Sequence, residues 1–226
     1  MQQPGLAFHN HLVRPCIAEL LGSAVFSFLT GFSAHIPLDQ LQFAVGCGLS
    51  LLTAQSLIQK ISGAHLNPAV SLTHTVHGRL SGIQCFCYIC VQFFGAFIGS
   101  SAHFLLVSSV AFEDSYLPLE IVKSHGEGRL SRLQGFLLEA MLVSVFCVVH
   151  LRQEDDSFDQ SMVTPSVWAL ISLISVPLIG PACNIALSLS STVVHSIFLA
   201  RAPPASSFYL PPLASLLGAF FSSLIT

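Results

Sequence analysis

Apolar residues run nearly unbroken over six stretches of the chain, at 15–34, 41–58, 84–110, 133–151, 163–179 and 207–225. Each approaches the ~20 residues that a helix needs to cross a bilayer. The pattern predicts an all-α membrane protein with six transmembrane helices. Two further apolar stretches, 67–78 and 184–199, are too short to cross alone. Each begins at an asparagine and follows a turn that contains glycine. Half-helices and irregular backbone at membrane depth are tolerated only where they are buried in protein or line a watery cavity. These two re-entrant segments are therefore the place to look for function.

The chain repeats itself weakly, over about 10–112 and 130–226, within a single domain of residues 1–226. Glu19 lies in the first span, and Ser62-Gly63-Ala64-His65-Leu66-Asn67-Pro68-Ala69 follows some distance on. Glu139 lies in the fourth span, and Gly180-Pro181-Ala182-Cys183-Asn184-Ile185-Ala186 follows at a similar interval. Three spans per half is an odd number, so the second half enters from the opposite face. An inverted repeat with interrupted short segments at matching positions points to a solute site at the midplane. Charge leaves the orientation open. With the N-terminus inside, Arg14, Lys60, Arg79 and Arg152 face Lys123, Arg129, Arg132 and Arg201 across the membrane, four against four.

Composition agrees with the pattern: 53% of residues are hydrophobic, 8% are charged, and mean hydropathy is +0.74. A soluble domain carries about 25% charged residues. The net charge of −3, without a long basic run, gives no sign of nucleic acid. The seven cysteines are an odd number set in apolar runs, which reads as free thiols. Cys85, Cys87 and Cys90 do not share a helical face and have no His–Cys partner set, so no metal is expected. No nucleophile–base–orienter set is visible, so an enzyme is not expected, nor is a cofactor. The first dozen residues are polar and the first apolar run is long and continuous, so no cleavable signal is expected.

The stretch Gly48-Leu49-Ser50 through Ala54-Gln55-Ser56 to Ile61-Ser62-Gly63-Ala64-His65-Leu66-Asn67-Pro68-Ala69-Val70 resembles the second span and first signature loop of the aquaporins. Arg14-Pro15-Cys16 running into Glu19-Leu20-Leu21-Gly22-Ser23-Ala24 is most similar to the aquaporin-8 subgroup. The resemblance covers nearly the whole chain and is degraded in its second motif. It implies that Glu19 and Glu139, with Gln92, support the re-entrant loops. A carboxylate in a span is otherwise a candidate proton relay. It also implies that the backbone of Gly63, Ala64 and His65 lines a pore; His74 and His77, on the same half-helix, are left unassigned. A homotetramer, each subunit with its own pore, is implied in the same way.

Asparagine at a helix N-cap with proline at the first helical position is a strong helix start. Two such N-termini meeting at the midplane concentrate positive partial charge. The Asn67 and Asn184 amides then offer donors to one passing water or neutral solute, interrupting a water chain and repelling cations and protons.

The second motif departs from the family. It reads Asn184-Ile185-Ala186-Leu187, where the resemblance expects proline after the asparagine and arginine after the alanine. Aligned from each asparagine, Cys47, Ser172, Pro181 and Leu187 occupy the selectivity-filter positions, a small and uncharged set. Two opposite outcomes follow: a wider pore for water with hydrogen peroxide, ammonia, urea or glycerol, or a greasy constriction that dewets and conducts water poorly. A small cation leak through the uncharged filter is a third. A structural membrane protein on an aquaporin scaffold is the alternative reading. Cys47 is expected to face the pore and to be the target of mercurials. Glu154-Asp155-Asp156 with Asp159 reads as a solvated loop. Plasma membrane and internal membranes both stay open, and lipid, water and small neutral solutes are the expected partners.

Overall fold

The computed structural model describes residues 9–34, 40–115, 130–153, 162–180, 183–199 and 206–225. A π-helical turn, His9–Val13, leads into α1 (Arg14–Ser33), followed by α2 (Gln40–Ser62), α3 (Pro68–Val76), α4 (Gly82–Leu106) and α5 (Ser109–Ser115). The second half holds α6 (Arg132–Gln153), α7 (Val163–Ile179), α8 (Ile185–Leu199) and α9 (Ser206–Ile225). No strand occurs among the described residues. The six long helices α1, α2, α4, α6, α7 and α9 answer to the six apolar stretches, and α3 and α8 to the two short ones.

Local chemistry sets the boundaries that hydropathy blurred. The expected third stretch, 84–110, is two elements. Ser81 begins α4 through a capping box with Gln84, one residue pair earlier than the apolar run. Val107 is extended at the far end, and Ser108 Oγ accepts from Ala111 N at 3.1 Å to start α5. Ser131 pairs in the same manner with Gln134 at the head of α6. At the tail of α6, the guanidinium of Arg79 donates to the Leu151 carbonyl at 3.0 Å, filling an acceptor that the helix end leaves open.

The two halves pack alike. α1 lies against α2 and α4, as α6 lies against α7 and α9; the half-helix α8 rests on α4, and α3 on α9. Small residues permit the tightest of these crossings. A Cβ on Gly95 or Gly99 would run into the Leu20 or Ala24 carbonyl of α1, so α4 can meet α1 backbone to backbone only because both are glycine. In the second half, a Cβ on Gly218 of α9 would meet the Ala140 carbonyl and Val143 of α6. Large apolar side chains such as Leu21, Phe86, Phe94, Met141 and Leu213 are exposed on the outside, where lipid would cover them. The inside is a single core that includes Phe26, Leu51, Phe146 and Trp168 from the spans, and Ala64, Leu66 and Cys183 from the re-entrant loops.

Candidate pore site

The two signature asparagines form the heart of the core, and each starts its half-helix the same way. Asn67 is extended (φ −152°, ψ 125°), and its Oδ1 accepts from Ala69 N at 3.0 Å. Asn184 Oδ1 accepts from Ala186 N at 3.0 Å and from Leu187 N at 3.3 Å. With the side-chain oxygen turned back on its own helix, each amide nitrogen points across to the other loop. Asn67 Nδ2 donates to the Cys183 carbonyl at 2.7 Å, and Asn184 Nδ2 donates to the Leu66 carbonyl at 2.8 Å. The accepting residues, Leu66 (φ 52°) and Cys183 (φ 73°), are both left-handed, a conformation that costs a non-glycine residue about 1–2 kcal/mol. The strain turns their carbonyls toward the opposite asparagine. Each NH₂ has two hydrogens, and the cross-loop bond uses one.

Replacement of proline by Ile185 leaves this arrangement intact. Ile185 heads α8, buried at 7% exposure, with Pro68 in the matching place on α3. Ala69 and Ala186 are fully buried beside them.

Glu19 is bonded at both oxygens. Oε1 accepts from Ser62 Oγ at 2.7 Å and His65 N at 2.9 Å; Oε2 accepts from Leu66 N at 2.8 Å and Gln92 Nε2 at 2.9 Å. Gln92 Nε2 also reaches Ser71 Oγ at 3.1 Å, tying α4 to α3. Four donors on one buried carboxylate hold the loop through Gly63 (φ 84°), Ala64 (φ 51°) and His65 in its unusual course. Glu139 is less well served. It accepts from Ser215 Oγ at 3.3 Å and lies near the Cys183 backbone, while its Oε2 has no partner among the described residues.

Of the four positions expected to form the filter, two are brought together. Cys47 lies beside Ser172, whose hydroxyl donates to the Trp168 carbonyl at 2.9 Å. Both side chains are buried, and the Ser172 hydroxyl spends its proton inside the protein. Leu187 is half-buried and packs on the same core. Pro181 and the acidic stretch Glu154–Asp156 with Asp159 lie outside the described residues, as do Lys123, Arg129 and Arg201. All seven cysteines are free thiols.

Two features were not read from the sequence. The first is a nest of imidazoles under the first loop. His65 and His74 lie tilted against each other with centroids 4.3 Å apart, and His150 of α6 lies 5.6 and 5.2 Å from them. His150 Nε2 donates to the Ala64 carbonyl at 3.2 Å, which leaves Nδ1 of the neutral ring to accept from His74 Nε2 at 3.2 Å. A polar ring in the last turn of an apolar span was the available signal, and only the tertiary fold supplies its partner. The second is a row of aromatic rings. Trp168 of α7 meets Phe26 of α1 at 5.6 Å and Phe146 of α6 at 5.1 Å.

Six long apolar helices around two half-helices that meet tip to tip at paired asparagines define a multi-pass integral membrane protein of the aquaporin fold. The comparisons agree. Residues 7–226 match the profile of the major intrinsic protein family, and the chain belongs to that family. It is 38% identical to aquaporin-8 of Rattus norvegicus over 100 residues, 43% of this chain and 38% of that one. It is also 38% identical to an aquaporin-3 of Milnesium tardigradum over 106 residues, 41% of this chain and 32% of the relative. These matched stretches span less than half of the relatives' lengths. A longer match, 27% identical over 195 residues, covers 76% of this chain and 69% of a glycerol uptake facilitator of Pseudomonas aeruginosa. The X-ray structure of the aquaglyceroporin from Plasmodium falciparum superposes with a TM-score of 0.79 over 94% of both chains, at 25% identity.

Proposed function

We propose that this protein is a passive transmembrane channel for water and small neutral solutes, with hydrogen peroxide, ammonia, urea and glycerol as the candidates. The observation that carries the reading is the reciprocal pair Asn67–Cys183 and Asn184–Leu66. It fixes two amide groups at the meeting point of two half-helix N-termini, each with one N–H to spare. The positive ends of both half-helices face the same point, which favours a neutral permeant with an acceptor atom over a cation. Glu19, Glu139 and Gln92 act in this reading as supports for the loops. Transport needs no cofactor and no energy coupling, and four copies of the chain would form the working assembly.

A second reading, a poorly conducting or structural membrane protein, is favoured by one observation. Cys47 and Ser172 are buried side by side, Ser172 spends its hydroxyl proton on the Trp168 carbonyl, and Leu187 adds only carbon. The filter positions therefore offer little to a desolvated water. A Leu187→Arg variant in proteoliposomes separates the accounts. If the wild type passes urea or glycerol and Leu187→Arg narrows that range, the open channel stands. If wild-type water flux is no higher than that of lipid and Leu187→Arg raises it, the closed filter stands. Flux at the lipid level for both proteins, folded and inserted, leaves the structural protein.

A further inference from the structure

The row Phe26–Trp168–Phe146 occupies a position that the two-fold plan of the molecule marks out. Phe26 follows Glu19 by seven residues, and Phe146 follows Glu139 by seven, two helical turns in each case. The two glutamates hold the two loop tips, so the two phenylalanines are related by the same repeat. α1 and α6 do not pack along each other among the described residues. What joins them is the indole of Trp168, in edge contact with Phe26 and tilted contact with Phe146. The repeat gives Trp168 no aromatic twin. It lies sixteen residues before Asn184, and the residue sixteen before Asn67 is Leu51. One half thus contributes an aliphatic side chain where the other contributes the largest ring available.

The indole also carries a polar atom that the fold does not use. Trp168 is 4% exposed, and its Nε1–H has no hydrogen-bond partner among the described residues. Buried indole N–H groups nearly always find an acceptor, and a bare one marks a place where water or a ligand supplies it. The same core contains Leu66 and Cys183, whose carbonyls the asparagines hold.

We propose that Trp168 is the specificity-determining residue of the candidate pore. Wedged between Phe26 and Phe146, its ring sets the free width beside the asparagine pair. Its Nε1–H donates to the acceptor atom of the permeant, adding a third donor to those of Asn67 and Asn184. The site admits water and small acceptors of similar width, and of the candidate solutes above it excludes the three-carbon glycerol. This inference rests on the channel reading above and names its selectivity.

Proteoliposomes of wild type, Trp168→Phe and Trp168→Ala, compared for water and glycerol flux, test it. Wild type should exclude glycerol. Trp168→Ala should raise glycerol flux several-fold. Trp168→Phe should keep glycerol out while lowering water flux several-fold. A wild type that passes no water overturns the assignment, whether or not Trp168→Ala conducts. Unchanged fluxes in folded Trp168→Ala, or a wild type that already passes glycerol, overturn it and leave the channel reading standing. No flux through either protein overturns both. Because Trp168 is the only tryptophan, its fluorescence gives a readout on the unmodified protein should Trp168→Ala fail to fold. On mixing with D₂O the indole should exchange within seconds; exchange no faster than global unfolding contradicts a place on the water path.

Discussion

Glu19 and Glu139 occupy corresponding places and carry unequal loads. Four donors converge on the first, while the second leaves Oε2 without a partner among the described residues. Glu19→Gln puts an NH₂ against the backbone N–H groups of His65 or Leu66 and should lower stability by about 2 kcal/mol, the scale of a hydrogen bond to a carboxylate. Glu139→Gln should lose clearly less. Thermal unfolding of the two variants in the same detergent checks the order, and equal losses would contradict it. His150 has a similar structural burden, since its Nε2–H satisfies the Ala64 carbonyl inside the core. His150→Leu leaves that carbonyl unmade and should cost about 2 kcal/mol in the same assay. Cys47 is the thiol at an expected filter position, beside Ser172. Mercurial block of flux should therefore disappear in Cys47→Ser; persistent block would point to Cys183 at the loop tip.

The half-helices show how an element can survive the loss of a signature residue. The N-cap, more than the proline, organises α8, because Asn184 Oδ1 already holds Ala186 N and Leu187 N. Proline at that position would add only the entropy it removes from the unfolded chain. Ile185→Pro should accordingly stabilise the protein by about 0.4–1 kcal/mol, measured as a rise in melting temperature. A fall would show that the φ of Ile185 or its buried side chain matters more. The asparagine starts and the apolar runs were legible in the sequence because each depends on neighbours along the chain. The break after Leu106 was less so, since the serines that start α4 and α5 sit outside the hydropathy pattern. Ring contacts such as His65–His74–His150 and Phe26–Trp168–Phe146 join residues from separate spans. Nothing in local periodicity brings them together.

At the scale of the whole molecule, the same helix pairs recur in both halves, and close crossings at glycine hold α1 to α4 and α6 to α9. Gly99→Val drives a branched side chain into α1 and should cost about 3 kcal/mol or prevent folding, seen as loss of the monodisperse species in detergent. The two halves then meet through the asparagine bonds and the core around them, so in the proposed channel solute passage and integrity of the fold would depend on the same few residues. Conduction is the claim on which the rest hangs. Osmotic shrinkage of proteoliposomes, followed by stopped-flow light scattering over a range of temperatures, tests it most directly. The account predicts shrinkage faster than that of empty liposomes, with a weaker temperature dependence. Shrinkage equal to the empty control, in protein shown to be folded and inserted, would contradict a water path through the paired asparagines.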